Sequence, residues 1–180
     1  RSARLRWAPM FYGLARRLLR AALAVFYRRI ALTGLEGVPP TGPVVFVANH
    51  VNALADAFVI MAFVPRRISF MAKSGLFAVP VLGRLLTAVG GVPAYRAQDV
   101  GAKDRRRNLE SFDQAFAVLE GGGAFALFPE GISHSEPDLQ EMKTGAARIV
   151  LGAEARRGFS LGAHVVPVGL TFSRKQAFRS

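Results

Sequence analysis

The chain predicts an α/β domain: a mixed, largely parallel sheet flanked by helices, preceded by an N-terminal basic amphipathic helix. Three observations carry this. Short apolar runs rich in branched residues recur along the sequence as strand candidates. Longer segments with helical spacing separate them, so strands alternate with helices. Ahead of both lies an arginine-rich stretch whose apolar residues fall on one helical stripe.

The elements follow in order. In the first segment Trp7, Phe11, Leu14, Leu18, Ala22 and Val25 share one face at 100° per residue, and Arg6, Arg16, Arg17, Arg20 and Arg28 gather opposite. Such a helix either packs its apolar stripe on the core or lies in a membrane interface. Residues 1–32 are assigned to it, and 33–180 to the main domain, whose C-terminus the sequence leaves open to continuation. Val44 to Ala48 reads as a buried strand, Ala53 to Phe63 as a helix ended by Pro65, and Ile68 to Ala72 as a second strand. Leu76 to Val89 is helical but broken near Pro80 and Gly83. Gly91 to Tyr95 is a third strand after a Gly-Gly turn. Asp104 to Glu120 keeps helical spacing through Leu109, Phe112, Phe116 and Leu119, and the run Gly121-Gly122-Gly123 stops it. Ala124 to Phe128 is the fourth strand, Thr144 to Arg157 a helix, and His164 to Phe172 the fifth strand.

A length of 180 residues fits one domain with a substantial core, and 14 phenylalanines exclude a disordered chain. The absence of cysteine removes thiolate nucleophiles and cysteine-based zinc sites. A net charge of +12 points to anionic partners: phosphorylated substrates, an anionic membrane surface or nucleic acid. Nucleic acid has charge alone in its favour, because the basic residues are dispersed and no zinc spacing or helix-turn-helix accompanies them. The longest uncharged run, Gly37 to Ala55, holds three prolines, two asparagines and a histidine, so it is a loop and a strand, not a spanning helix.

Chemistry in an open α/β sheet belongs in the loops at strand ends. After the first strand come His50 and, a turn or so later, Asp56, the makings of an oriented general base. The same residues also fit a plain helix start, with Asn52 as cap, Asp56 in the first turn and His50 filling the loop. Lys73 follows the second strand, where a surface lysine is the simpler reading. Arg96 closes the third, and its planar fork suits phosphate. After the fourth come Glu130, Gly131 and Ser133, then Lys143 at a helix start. His134 reads as loop surface and His164 as a strand start, neither in a metal-ligand cluster.

Four blocks in this order resemble the glycerolipid acyltransferases, the 1-acylglycerol-3-phosphate acyltransferase-like superfamily. They are Asn49-His50 with Asp56, Gly90 through Arg96, Phe128-Pro129-Glu130-Gly131 with Ser133, and Val166-Pro167-Val168. The resemblance runs from about Thr33 to Phe172. One departure stands out: five residues separate His50 from Asp56, where the family usually has four. On a continuous helix neither separation puts both side chains on one face, so the pair must meet across a loop, which can absorb one residue more. The longer form also occurs in a branch that includes glycerol-3-phosphate acyltransferase-like members.

The resemblance implies that His50 takes the proton of an acceptor hydroxyl and that Asp56 holds the imidazole. The acyl donor would be the thioester of acyl-CoA or acyl-carrier protein, used as a substrate with no cofactor. Arg96 would bind the acceptor's phosphate, and Glu130 with Gly131 would position the acceptor or hold Arg96. Lys73 and Ser133 are further substrate-binding candidates. The acceptor would be lysophosphatidate or glycerol 3-phosphate, in phospholipid biosynthesis. A bilayer substrate calls for a membrane dock on the cytoplasmic face, supplied by the N-terminal helix with Arg66-Arg67 and Arg105-Arg106-Arg107. It also calls for an apolar groove, for which the run Leu76 to Leu82 is available unless it packs in the core. A noncatalytic or hydrolytic relative, with His50 misaligned by the longer loop, is the competing outcome.

Overall fold

The structure is a computed structural model describing residues 3–95, 102–134, 136 and 138–173, with the backbone alone for 3–10 and 102–108. Arg96 lies outside the described residues, as do the side chains of Trp7 and of Arg105 to Arg107.

Five strands form one sheet: β1 Val44–Ala48, β2 Ile68–Lys73, β3 Gly91–Ala94, β4 Ala124–Leu127 and β5 His164–Val168. Their spatial order is β3-β2-β4-β1-β5. Every described pairing is parallel, so the expected mixture resolves to a wholly parallel sheet. The central strands alternate cleanly. Val44, Phe46 and Ala48 of β1 with Ala124 and Ala126 of β4 enter one core, while Val45 of β1 with Phe125 and Leu127 of β4 enter the other. This two-sided burial is why both strands read as continuous apolar runs.

Helices α1 Ala3–Phe26, α2 Ala53–Phe63, α3 Ser74–Phe77 and α4 Pro80–Ala88 precede β3, while α5 Ala102–Glu120 and α6 Gly145–Arg156 follow it. α1, α2 and α4 contribute to the first core, through Tyr12, Ile60, Met61 and Leu86. α5 and α6 build the second, through Ala115, Leu119, Ile149 and Ala153. The break expected near Pro80 separates α3 from α4, with proline starting the new helix where its missing N–H costs nothing.

The sheet order sets where a ligand fits. From β1 the chain passes through α2 toward β2 and β3; from β4 it passes through α6 the other way, toward β5. β1 and β4 are neighbours whose connections leave in opposite directions over opposite faces. A crevice opens beyond their carboxyl ends, the topological switch point of an open parallel sheet.

α1 departs from the isolated-helix reading. Among its described side chains Tyr12 and Leu23 are buried, while Leu14, Leu18 and Val25 of the expected apolar stripe are 55%, 63% and 60% exposed; the packed stripe runs through Tyr12, Ala15 and Leu19 and keeps only Phe11 of the expected one. Arg16 and Arg20, assigned to the solvent side, reach across to α2 instead. Arg16 Nε and Arg20 Nε donate to Ala62 O at 2.9 and 2.7 Å, and Arg16 also reaches Phe63 O. These carbonyls end α2 and have no partners within the helix, so two guanidinium groups meet both their hydrogen-bonding need and the negative end of the dipole. Arg66 is likewise taken out of the basic surface: it donates to Pro39 O, Gly42 O and Gly122 O, tying together the turns that precede β1 and β4.

Candidate active site

At the crevice, β1 delivers Asn49 and His50. The Asn49 side chain acts as one more peptide group: its Nδ2 donates to Leu170 O at 2.9 Å, and its Oδ1 accepts from Leu170 N at 2.7 Å. The β1–β5 ladder is thereby extended past its last backbone pair, and the next residue leaves the sheet at a defined point. That residue is His50. Its Nδ1 lies 2.9 Å from Asp56 Oδ2, with Asp56 wholly buried and the histidine side chain 18% exposed. The same Asp56 oxygen accepts the Asn52 N–H at 2.7 Å. His50 and Asp56 meet across the loop, as their spacing requires: Val51 and Asn52 complete a turn before α2 begins. The tight entry shows at Ala53, whose φ of 45° puts a non-glycine residue in the left-handed region, worth roughly 1–2 kcal/mol of strain.

The helix-start reading of this stretch holds in part. Asn52 occupies the N-cap position of α2, and Asp56 lies in its first turn, but the Asn52 side chain makes no capping bond. It donates to the Tyr27 hydroxyl at 3.1 Å. Burial pushes the Tyr27 phenol above its ordinary pKa; the bond from Asn52 works against this, and the charge of Asp56 adds to it.

β4 supplies the other wall. The Phe128 ring stacks on the His50 imidazole, centroids 4.1 Å apart and planes within 12°. It shields one ring face from water and leaves the edge free. With Nδ1 committed to Asp56, Nε2 is the nitrogen left to meet a hydroxyl. Glu130, 2% exposed, turns away from the crevice: its Oε2 accepts the His50 backbone N–H at 3.1 Å. Gly131 has φ of 70°, and a Cβ there would come within 3.1 Å of Lys143 Nζ. Glycine at this position spares backbone strain and admits the lysine. Ser133 Oγ accepts the Ala53 N–H at 2.9 Å, satisfying an N-terminal donor of α2 from the neighbouring loop.

His50, Phe128 and Gly131 border a cavity of about 500 Å³. Its floor and sides are apolar, from Leu54, Phe58, Phe70, Leu76, Leu86 and Phe112, and its charged lining residues are Lys73, Lys143 and Arg148. No acidic side chain is among its described lining residues. Of the substrate-binding candidates, Lys73 and Gly131 line it. Glu130 and Ser133 are held behind the wall, bonded to the backbone of the His50–Ala53 loop. The run Leu76 to Leu82 divides: Leu76 borders the cavity, Leu76, Phe77 and Leu82 pack on the core, and Val79 and Val81 stay exposed. Arg148, whose guanidinium lies 4.8 Å from the Phe112 ring centroid, was not singled out from sequence; a lone helical arginine carries no signal there. His134, expected on the loop surface, is instead packed against Glu130 with its side chain 9% exposed. No group of acidic or histidine side chains that could hold a metal occurs among the described residues.

Residues 12–171 match the family model described as Acyltransferase. The chain belongs to the acyltransferase family. Relatives of this acyltransferase-family chain include the chloroplastic 1-acyl-sn-glycerol-3-phosphate acyltransferase of Arabidopsis thaliana, 27% identical over 84% of this chain and 39% of the relative. Glycerol-3-phosphate O-acyltransferase 2 of Saccharomyces cerevisiae is 40% identical over a shorter stretch, 41% of this chain and 10% of the relative. The crystal structure of the 1-acyl-sn-glycerophosphate acyltransferase PlsC from Thermotoga maritima superposes with a TM-score of 0.67, covering 93% of this chain and 60% of that one at 20% identity, which establishes the shared fold. The chain spans about 39% of the length of the Arabidopsis relative.

Proposed function

We propose that this chain transfers a fatty acyl group from the thioester of acyl-CoA or acyl-carrier protein to the hydroxyl of lysophosphatidate, in phospholipid biosynthesis. The observation that carries the reading is the His50–Asp56 pair at the edge of an apolar cavity whose charged lining, among the described residues, is Lys73, Lys143 and Arg148. His50 Nε2 takes the acceptor's proton as its oxygen attacks the thioester carbonyl carbon, and Asp56 stabilises the imidazolium. Collapse of the tetrahedral intermediate breaks the carbon–sulfur bond, and the imidazolium returns the proton to the departing thiolate. Lys73, Lys143 and Arg148 attract the phosphate, with Arg96 as a further cation on sequence grounds. The apolar walls take an acyl chain.

Catalysis takes place at an anionic membrane surface, on the cytoplasmic face, with α1 as the dock. Its outward stripe of Leu14, Leu18 and Val25, with exposed Arg17 nearby, is suited to an interface. No described helix is long and apolar enough to cross a membrane. A second acceptor, glycerol 3-phosphate, is favoured by the five-residue His50–Asp56 spacing and by the named activity of the yeast relative.

The deciding experiment offers lysophosphatidate, glycerol 3-phosphate and other lysolipids with labelled acyl-CoA or acyl-carrier protein. Acylation of lysophosphatidate in preference to the rest supports the reading; preference for glycerol 3-phosphate replaces the acceptor. Thioester cleavage without transfer to any acceptor overturns acyl transfer.

A further inference from the structure

The loop after β4 carries a second imidazole–carboxylate pair, set behind the first. His134 Nε2 lies 2.6 Å from Glu130 Oε2, the oxygen that also accepts the His50 backbone N–H at 3.1 Å. The backbone N–H of His134 donates to His50 O at 3.0 Å. Both peptide groups flanking the His50 Cα are therefore gripped by this one loop. Neither Glu130 nor His134 borders the cavity, whereas His50 does. The second pair cannot exchange roles with the first, since it does not reach a substrate placed there.

The hydrogen bonding also assigns a direction. An ionised Glu130 can only accept, so His134 donates from Nε2. Among the described residues, His134 Nδ1 and Glu130 Oε1 are buried and make no other hydrogen bond. What His134 supplies is a short donor that stops the Glu130 carboxylate from rotating off the His50 N–H.

We propose that His134 is a positioning residue for His50. Through Glu130 it fixes the backbone from which the His50 ring reaches both Asp56 and the cavity. The kinetic part of this proposal rests on the acyl-transfer reading; the structural part stands apart from it.

Three variants test it: His134→Ala, His134→Asn and His134→Gln. The glutamine amide has the reach to donate to Glu130 Oε2, and the asparagine amide falls short. In the Ala and Asn variants kcat should fall about 10- to 100-fold with the KM for acceptor within about twofold, because a small misplacement of the base is costly. The Gln variant should stay within about threefold of the native kcat, since its amide restores the donor. Hydrogen exchange at the His50 amide gives a readout independent of activity: it should quicken at least about tenfold in the Ala and Asn variants and stay near native in Gln. If His134→Ala does not fold, the Gln–Asn comparison decides alone. Unchanged exchange in Ala and Asn, or a Gln variant as impaired as Asn, would overturn the proposal. If the native protein transfers no acyl group, the acyl-transfer reading falls while the exchange pattern still decides the positioning role.

Discussion

Replacing Asp56 by asparagine keeps the shape of the buried side chain and removes its charge. Asp56 Oδ2 lies 2.9 Å from His50 Nδ1, and at an effective dielectric of about 20 two unit charges at that separation interact by roughly 6 kcal/mol. The imidazolium is only partly formed in the transition state, so about half of this, ~3 kcal/mol, is at stake, which corresponds to ~10²-fold in kcat. A second effect turns on how the amide sits. If its nitrogen faced Nδ1, the imidazole would carry its proton on Nε2 and could not accept from a hydroxyl, taking the loss toward ~10⁴-fold. The Asn52 N–H, 2.7 Å from the same oxygen, favours the amide oxygen in that position and keeps the loss near the lower figure. The assay is release of the free thiol from acyl-CoA, followed with a thiol reagent; the chain has no cysteine, so the protein adds no background. A folded Asp56→Asn protein with kcat within about threefold of native would refute the electrostatic argument. So would a change confined to KM.

His50→Ala should abolish transfer while leaving the melting temperature and vesicle binding near native; a folded variant that retains activity would remove His50 from the chemistry. Arg148→Ala should raise the KM for a phosphate-bearing acceptor about 10- to 100-fold with little change in kcat, the worth of one hydrogen bond to a charged group; equal KM values would end its role in phosphate binding. Leu14→Asp with Leu18→Asp should weaken binding to anionic vesicles at least about tenfold without unfolding the protein, since each leucine contributes about 1.5–3 kcal/mol when it enters an apolar phase. Tyr12→Phe tests alkaline stability. Burial raises the Tyr12 phenol above its ordinary value, so its stabilising contribution is complete below about pH 10 and is lost as pH rises through the folded value. The variant should lose about 1–2 kcal/mol at neutral pH through the orphaned Ile68 N–H. Its melting temperature should then fall less steeply than native between about pH 9 and 11, and parallel curves would count against the linkage.

Local structure was legible wherever a residue's own neighbours in sequence determine it. The strands from Val44 and Ala124 show in their apolar runs because both sheet faces are covered there, and the edge strand from His164 shows in its branched residues although Val165 is exposed. Their spatial order was not legible, since nothing in Val44–Ala48 says that β4 and β5 will flank it. The misreadings share one cause. Arg16 and Arg20 lie on the polar side of an isolated helix, yet the end of α2 nearby has carbonyls in need of donors. His134 sits among loop residues, and only the folding of that loop onto the His50 backbone buries it. Glu130 was singled out from sequence as a candidate, but the group it contacts is a main-chain N–H, which leaves no mark in sequence.

The order of the strands also governs how the site comes into being. β1 pairs with β4 from Val44 to Ala124 and with β5 from Val44 to His164, partners 80 and 120 positions further along. Such a strand must wait with both edges unpaired until residues 124 onward have been made, and closing such long loops slows folding. The fastening of Asn49 to Leu170 and of His50 to Glu130 belongs to those same late contacts. A nascent chain that has not yet passed Gly123 has the histidine but neither strand beside it, so the surroundings of His50 are assembled well after His50 itself is made.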